Sequence, residues 1–379
     1  MKAFALIILL VLISEFARSQ SEVRQHFYTQ VQGYYGKPII YSDSLTSKSL
    51  SQPFMAASYR FGVQTNGERH QDQYFGFPKY GLGLFHVNLN NKDTLGNPWA
   101  LYMFYNAPIF RQGKFQLNWD GGVGLAWNFA KFDSITNPQN DLVGSSFTAY
   151  FSFALNAEYR ISPRISVNAG VNFIHFSNGT LQTPNKGMNL YAANLGLSYY
   201  FQMKPQSSFK PAELKKVPST KIVKSNELDL TMAIGGKATR SEYGMGPKYF
   251  TASSTLDFYH RYHWVGKYGA GLDWFYDTSL KEDYTEMVSS SKYMFVGAHL
   301  GHELMISKFT FVTHLGTYFY KGTQAKGAFF FRLGIKYYII PELYTSISLK
   351  TVNGFKADYI EWGMGYRFKF KSRKNGIFL

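Results

Sequence analysis

The chain has 379 residues, a formal net charge of +16 at pH 7, and 18% aromatic residues, including 29 Tyr and 34 Phe. It contains no cysteine, which excludes disulfide bonds and thiolate metal sites. So many aromatic residues favour β-strands and membrane-interface girdles over helix bundles, and the positive charge favours anionic lipid headgroups or lipopolysaccharide phosphates as partners over nucleic acid.

The first 19 residues have the pattern of a secretory signal peptide. Lys2 precedes an apolar run from Ala3 to Ile13, and Ala17-Arg18-Ser19 forms a small-x-small cleavage pattern. The run is too short to span a bilayer as a helix, and no later segment offers about 18 uncharged apolar residues in a row. The pattern predicts an exported chain that carries no helical anchor.

Residues 20–203 alternate between apolar and polar positions with the period of a β-strand. In Phe115–Phe129, odd positions up to and including Phe129 are mostly large and apolar, whereas even positions, Asn128 among them, are small or polar. Eight such runs are predicted to begin near Phe27, Met55, Gly81, Trp99, Phe115, Phe147, Ile165 and Met188. Runs of ten or more residues are long enough to cross the apolar slab of a membrane at a tilt.

Charges in the middle of these runs decide which face meets lipid. The charged positions are Arg60, Asp120, Glu158 and Arg160. A charge that faces lipid at the midplane costs roughly 2–4 kcal/mol, so we expect these side chains to pair inside a polar lumen. The sequence therefore predicts an all-β fold, a transmembrane antiparallel β-barrel located in the outer membrane.

The connections support this topology because short turns alternate with long loops. Arg111–Lys114 and Ile161–Arg164 are short and predict periplasmic turns. The long connections, which predict outer loops, are Tyr35–Pro53, Lys131–Ser146 and Gly179–Gly187. Thr65–Lys79 departs from the rule, since it is long but falls on the turn side.

A basic stretch, residues 204–226, separates this barrel from a second set of strands. It lacks apolar periodicity and predicts a periplasmic linker. In residues 227–379, eight more strands are predicted to begin near Leu228, Leu256, Tyr268, Met294, Phe309, Ala328, Leu343 and Tyr359. The charges expected in their lumen are Asp273, Glu303, Arg332, Lys336, Glu361 and Arg367. Two tandem eight-stranded barrels are favoured over one barrel of about sixteen strands.

The seventh predicted strand carries polar residues on its lipid-facing side. His175 and Ser177 share the parity of Val171 and Phe173, and Asn189 shares the outward parity of the eighth strand. All three side chains are therefore expected to project from the outer wall near the outer interface. A hydroxyl beside an imidazole on one strand face is an arrangement in which a base can activate a nucleophile.

At these residues the chain resembles a known family. Residues 175–189, His-Phe-Ser-Asn-Gly-Thr-Leu-Gln-Thr-Pro-Asn-Lys-Gly-Met-Asn, resemble the signature of the lipid A 3-O-deacylases (PagL-type, also called acyloxyacyl hydrolases). The resemblance covers roughly residues 22–203, and the second half resembles a degenerate barrel. It implies an outer-membrane hydrolase with Ser177 as nucleophile and His175 as general base. It also implies Asn178 in the oxyanion hole, with Asn185 in the oxyanion or substrate-binding set, and lipid A as substrate.

One position departs from the family pattern. Where the family has an acidic residue that orients the histidine, this chain has Asn189. An amide can hold the tautomer of the imidazole but cannot offset the charge of the imidazolium. An inactive barrel that binds lipopolysaccharide or a partner is therefore the alternative function. A diffusion channel is disfavoured because eight-stranded barrels fill their interior with side chains.

The proposed chemistry requires no cofactor, and no metal site is predicted. His299, His302 and His314 lie on adjacent predicted strands, but His302 follows the lipid-facing parity while the other two face the lumen. Ordinary hydrogen-bonded histidines are therefore expected. The oligomeric state is left open by the sequence.

Overall fold

Two closed barrels make up the fold. The computed structural model describes residues 26–39, 52–67, 70–201, 225–239, 246–263, 265–283, 289–323, 327–352 and 356–371. In these ranges, β1 to β8 close one antiparallel barrel and β9 to β16 close a second. The prediction of two tandem barrels is confirmed over that of a single larger one. The helices within the described ranges are all too short or too polar to cross a bilayer.

The first barrel has eight strands with the following bounds: β1 (His26–Pro38), β2 (Phe54–Gln64), β3 (Lys79–Asn88), β4 (Gly96–Gln112), β5 (Phe115–Phe129), β6 (Phe147–Arg160), β7 (Ile165–Ser177) and β8 (Met188–Tyr200). Two short helices lie in its connections, α1 (His70–Tyr74) and α2 (Lys92–Leu95). Each strand begins within three residues of its predicted start, because apolar alternation runs nearly to the strand ends.

The second barrel has eight strands with the following bounds: β9 (Ser225–Ala238), β10 (Lys248–His263), β11 (Gly266–Asp277), β12 (Met294–Ile306), β13 (Phe309–Lys321), β14 (Phe329–Tyr338), β15 (Leu343–Val352) and β16 (Lys356–Lys371). Two 3₁₀ helices, Thr278–Asp283 and Ser290–Tyr293, lie between β11 and β12. The predicted signal peptide and most of the predicted linker lie outside the described residues.

Two predicted boundaries in this half are wrong. β9 already includes Ser225 and Asn226, which were assigned to the linker. β10 begins at Lys248, eight residues before its predicted start at Leu256. In the segment of β10 that precedes Leu256, the outward-facing positions include the small residues Ala252 and Ser254. These small residues hide the apolar alternation by which a lipid-facing strand is recognised.

The outside of both barrels is covered by exposed apolar side chains. Leu195 on β8 is 69% exposed, and Leu300 on β12 is 71% exposed. The backbone hydrogen bonds are satisfied within each closed barrel, so such a surface suits lipid rather than water. The predicted alternation fails at the end of β5, where Asn128 has φ 69° and turns outward, and Phe129 is buried against Phe176 instead of facing lipid.

The interior of the first barrel is polar and filled, as the mid-strand charges predicted. The guanidinium of Arg60 donates to both carboxylate oxygens of Asp120 at 2.6 and 3.0 Å. Lys79 donates to Glu158 at 2.5 Å. The guanidinium of Arg160 lies 4.2 Å from the centre of the buried Tyr200 ring. The buried charges Arg60, Asp120, Lys79 and Glu158 are each paired with an opposite charge, which lowers the cost of their desolvation. Arg160, predicted in the middle of a strand, instead ends β6 and is only half-buried.

The interior of the second barrel contains a denser ionic network. Lys336 pairs with Asp229 at 2.9 Å and with Glu303 at 2.6 Å. Arg332 pairs with Asp273 and Glu361, each at 2.6 Å. The predicted lumen residues of this half are all buried. The second barrel is therefore also filled with side chains rather than open.

The long connection between β2 and β3 reaches the second barrel. Gln71 in α1 accepts a hydrogen bond from the backbone N–H of Ser307 at 3.0 Å. The ring of Tyr74 lies 5.0 Å from the ring of His263. Ser307 lies in the short turn between β12 and β13, and His263 is the last residue of β10, at the same end as the turns of the first barrel. This contact gives a physical reason for a long segment on the turn side.

Candidate active site

Three predicted site residues meet at the outer ends of β7 and β8. His175 and Asn189 are paired directly across the two strands, and Ser177 is the last residue of β7. Their side chains are half-buried and lie on the outward face of the wall. The predicted outward orientation of all three residues agrees with the structure.

Asn189 fixes the orientation of the histidine ring. Its Oδ1 lies 2.5 Å from Nδ1 of His175. An amide oxygen can only accept, so Nδ1 carries the proton and donates it to Asn189. The other ring nitrogen, Nε2, is then unprotonated. In this tautomer His175 has a free lone pair with which it can act as a base.

Ser177 receives two hydrogen bonds on its hydroxyl oxygen. The backbone N–H of Gly179 donates at 3.2 Å, and Nδ2 of Asn185 donates at 3.1 Å. A serine hydroxyl has two acceptor positions and one proton, so its proton is the part still available to a base. Within the described ranges no hydrogen bond joins Ser177 to His175; such a contact often forms only when substrate binds.

Asn178 and Asn185 organise the loop between β7 and β8, residues 178–187. Oδ1 of Asn185 accepts the backbone N–H of Asn178 at 3.2 Å while its Nδ2 reaches Ser177. The side chain of Asn178 is buried and donates to the carbonyl of Gln182 at 2.9 Å. Asn185 therefore presents a donor beside the nucleophile. The side-chain amide of Asn178, for which the resemblance implied an oxyanion role, donates within its own loop instead.

Gly187 allows the loop to pass close to the histidine. It has φ 74°, and a Cβ added there would lie 3.1 Å from Cε1 of His175. L-residues rarely adopt this backbone conformation, and glycine does so without steric cost. The sequence pattern contained this glycine but did not reveal that it covers the imidazole.

The loop between β5 and β6, residues 130–146, supports the same region from the other side. The backbone N–H of Gly187 donates to the carbonyl of Leu142 at 3.1 Å, and Lys186 pairs with Asp141 at 2.9 Å. Sequence reasoning missed Asp141 and Leu142 because they precede the motif by more than thirty residues. Asp141 does not replace the missing acid, since its carboxylate binds Lys186 and not His175.

Below the polar group, the wall is apolar and faces outward. Phe173 on β7 and Tyr191 on β8 are 42% and 51% exposed. The ring of Phe151 lies 6.3 Å from the ring of His175. A nucleophile at the top of an apolar wall can meet an ester at the headgroup level while the acyl chain stays in the membrane.

The three histidines of the second barrel are placed as their parities predicted. His302 is exposed and contacts Tyr262, whereas His299 and His314 are buried in the lumen with stacked rings. His299 and His314 also have ligand atoms within 4.8 Å of those of Asp257. However, His314 contacts Tyr259 and Arg332 through its two nitrogens, and His299 contacts Asp273 at 2.6 Å. The nearby guanidinium disfavours a cation, so these residues fit a hydrogen-bonded network.

Two family models match the chain. The model described as lipid A 3-O-deacylase (PagL) matches residues 55–198, which include the site. The model described as acyloxyacyl hydrolase, C-terminal domain, matches residues 226–370. The second half, expected only as a degenerate barrel, thus has a family model of its own. No curated protein sequence matches the chain.

Several solved structures show weak likenesses. Neisserial surface protein A has 12% identity, covers 46% of this chain and 96% of its own, and gives a TM-score of 0.31. CdiB from Acinetobacter baumannii has 8% identity, with 91% and 60% covered and a TM-score of 0.18. A triple mutant of the Rhodopseudomonas blastica porin has 9% identity, with 90% and 100% covered and a TM-score of 0.17.

Proposed function

Because the chain belongs to the lipid A 3-O-deacylase (PagL) family, we propose that it is an outer-membrane hydrolase that removes an ester-linked acyl chain from lipid A. The observation that carries this proposal is the outward-facing group of His175, Ser177 and Asn185, in which the serine oxygen lies under two N–H donors. The apolar exterior and the alternation of short turns with long loops support a location in the outer membrane.

Acyl transfer to the enzyme is the first half of the proposed reaction. Oγ of Ser177 attacks the ester carbonyl, and Nε2 of His175 takes the serine proton. The N–H of Gly179 and Nδ2 of Asn185, which rest on the serine oxygen in the free site, move to the developing oxyanion. The bond to the sugar oxygen then breaks, and that oxygen leaves with the proton held by His175.

Hydrolysis of the acyl-enzyme completes the cycle. His175 takes a proton from water, and the resulting hydroxide equivalent attacks the acyl carbon. The bond between that carbon and Oγ of Ser177 breaks, and His175 returns the proton to the serine. The products are a free fatty acid and a lipid A with one additional hydroxyl, and no cofactor enters the balance.

The proposal is tested with the purified protein and lipopolysaccharide in detergent micelles. Mass spectrometry of the lipid A should show the loss of one acyl chain with the native protein. Ser177→Ala should abolish the loss, while Ser145→Ala in the neighbouring outer loop should retain it. Intact lipid A after incubation with the folded native protein contradicts the proposal.

The alternative is a barrel that binds lipopolysaccharide without turnover. The neutral Asn189 in the position of the family's acid favours it, as does the net charge of +16. Binding of lipopolysaccharide with no loss of an acyl chain, by the native protein and by Asn189→Glu alike, would support this alternative.

A further inference from the structure

The loop that carries the oxyanion donors is attached to the second barrel. The carbonyl of Thr180 accepts the backbone N–H of Ala238 at 2.7 Å, at the end of β9. The hydroxyl of Thr180 donates to the carbonyl of Asp358 in β16 at 2.5 Å. Thr183 donates to the carbonyl of Thr239 at 2.9 Å. These bonds join residues that lie some 55 to 180 positions apart in the sequence.

Gly179 lies between the nucleophile and the second barrel. Its N–H donates to Ser177, and a Cβ added at Gly179 would overlap the side chain of Ile360. The side chain of Leu349 lies 3.7 Å from the same point. Ile360 therefore packs directly on the backbone whose N–H faces the serine oxygen, and the loop is held between the second barrel and residues 130–146.

We infer that the second barrel is part of the hydrolase site, with Ile360 as a positioning residue for the Gly179 N–H. The inference rests on the proposed function and extends it to the half of the chain that lacks the catalytic motif. An oxyanion donor works only when it is held at the position where charge develops. A misplacement of about 1 Å can cost roughly 10²-fold in rate.

The first test compares turnover in three variants. Ile360→Ala removes the packing on Gly179 and should lower kcat about tenfold or more with little change in KM, because the donor acts chiefly in the transition state. Ile360→Val should restore most of the rate. Ile335→Ala, which removes the same atoms from the outer face of β14, should behave like the native protein. An unchanged kcat in Ile360→Ala overturns the inference.

The second test measures the contact without activity. A Cβ added at Gly236 would lie 3.8 Å from Cδ2 of Leu181, and the native chain has no cysteine. Leu181→Cys combined with Gly236→Cys should therefore react with a short thiol-to-thiol crosslinker, whereas Leu181→Cys with Leu300→Cys should not. Failure of the first pair to crosslink overturns the inference.

The two tests separate this inference from the proposed function. If Leu181→Cys combined with Gly236→Cys crosslinks but the native protein is inactive, the proposed function is contradicted, and the positioning role falls with it. If the native protein is active and the loop crosslinks, but Ile360→Ala has an unchanged kcat, only the positioning role is contradicted. A lowered kcat with an unchanged KM in Ile360→Ala, together with a crosslink between Leu181→Cys and Gly236→Cys, supports the positioning role.

Discussion

At the scale of single residues, the site is defined by which hydrogen-bonding groups remain available. Asn189 holds the proton of His175 on Nδ1, and two donors fill the acceptor positions of Ser177. What remains is a basic nitrogen on the histidine and a proton on the serine. These are the two groups that general-base activation of a nucleophile requires.

Asn189→Asp should raise the turnover of the proposed hydrolysis. The substitution keeps the shape of the side chain and adds a negative charge beside the imidazolium that forms during attack. In a serine protease the reverse change costs about 10⁴-fold, so we expect a rise of about tenfold or more in kcat. Steady-state hydrolysis of lipopolysaccharide measures it, with Asn189→Ala as the control that should lower the rate. A lower rate in Asn189→Asp would contradict this account of the histidine.

Asn185→Asp should remove one of the proposed oxyanion donors while it keeps the acceptor for the N–H of Asn178. We expect kcat to fall about 10²–10³-fold, the usual effect of losing one such donor. Asn128→Asp, at the outer rim of β5, is the matched control and should retain activity. An equal loss in both variants would show that charge at the rim, rather than the donor, sets the rate.

At the scale of secondary structure, the alternation of β7 separates lipid-facing from lumen-facing positions. Val171 is 61% exposed in the middle of the strand, whereas the neighbouring Asn172 is buried in the lumen. The same strand therefore supports the barrel on one face and carries the site at its outer end, where His175 and Ser177 continue the lipid-facing parity.

Val171→Arg should destabilise the first barrel by about 2–4 kcal/mol, because it places a charge near the bilayer midplane. Phe147→Arg is the control at the outer end of β6, where the cost should be only about 0–1 kcal/mol. Denaturant titration in lipid vesicles, followed by heat-modifiable gel migration, gives the free energy of unfolding. Equal costs at the two positions would contradict the assigned depth of Val171.

At the scale of the whole molecule, both barrels are filled rather than open. Ion pairs such as Arg60 with Asp120 and Lys336 with Glu303 occupy their interiors. The two barrels also contact each other at both ends, through α1 and through the loop after β7. The second barrel is therefore placed to affect the site of the first.

The full chain should show no stable conductance in planar bilayers, because eight-stranded barrels leave no continuous water path between packed side chains. A porin measured in the same bilayers serves as the positive control. Regular conductance steps from the purified protein would restore the channel hypothesis and contradict the filled lumen.

The sequence determined most of the fold because strand periodicity is a local property. Alternation predicted fifteen of the sixteen strand starts within three residues, and mid-strand charges such as Asp120 and Glu303 revealed the lumen. The alternation failed as a predictor where outward residues were small or where the backbone reversed the faces of the strand. Ala252 and Ser254 hid the start of β10, and the positive φ of Asn128 inverted the last residues of β5.

The sequence also predicted the residues of the candidate site, because alternation places His175, Ser177 and Asn189 on the outward face and the family resemblance adds Asn185. Only the tertiary structure decided how the site is held. The contacts of Gly187 with Leu142, of Thr180 with Ala238, and of Gly179 with Ile360 join distant segments. Such contacts depend on how strands and loops meet in space, and no periodicity in the chain encodes them.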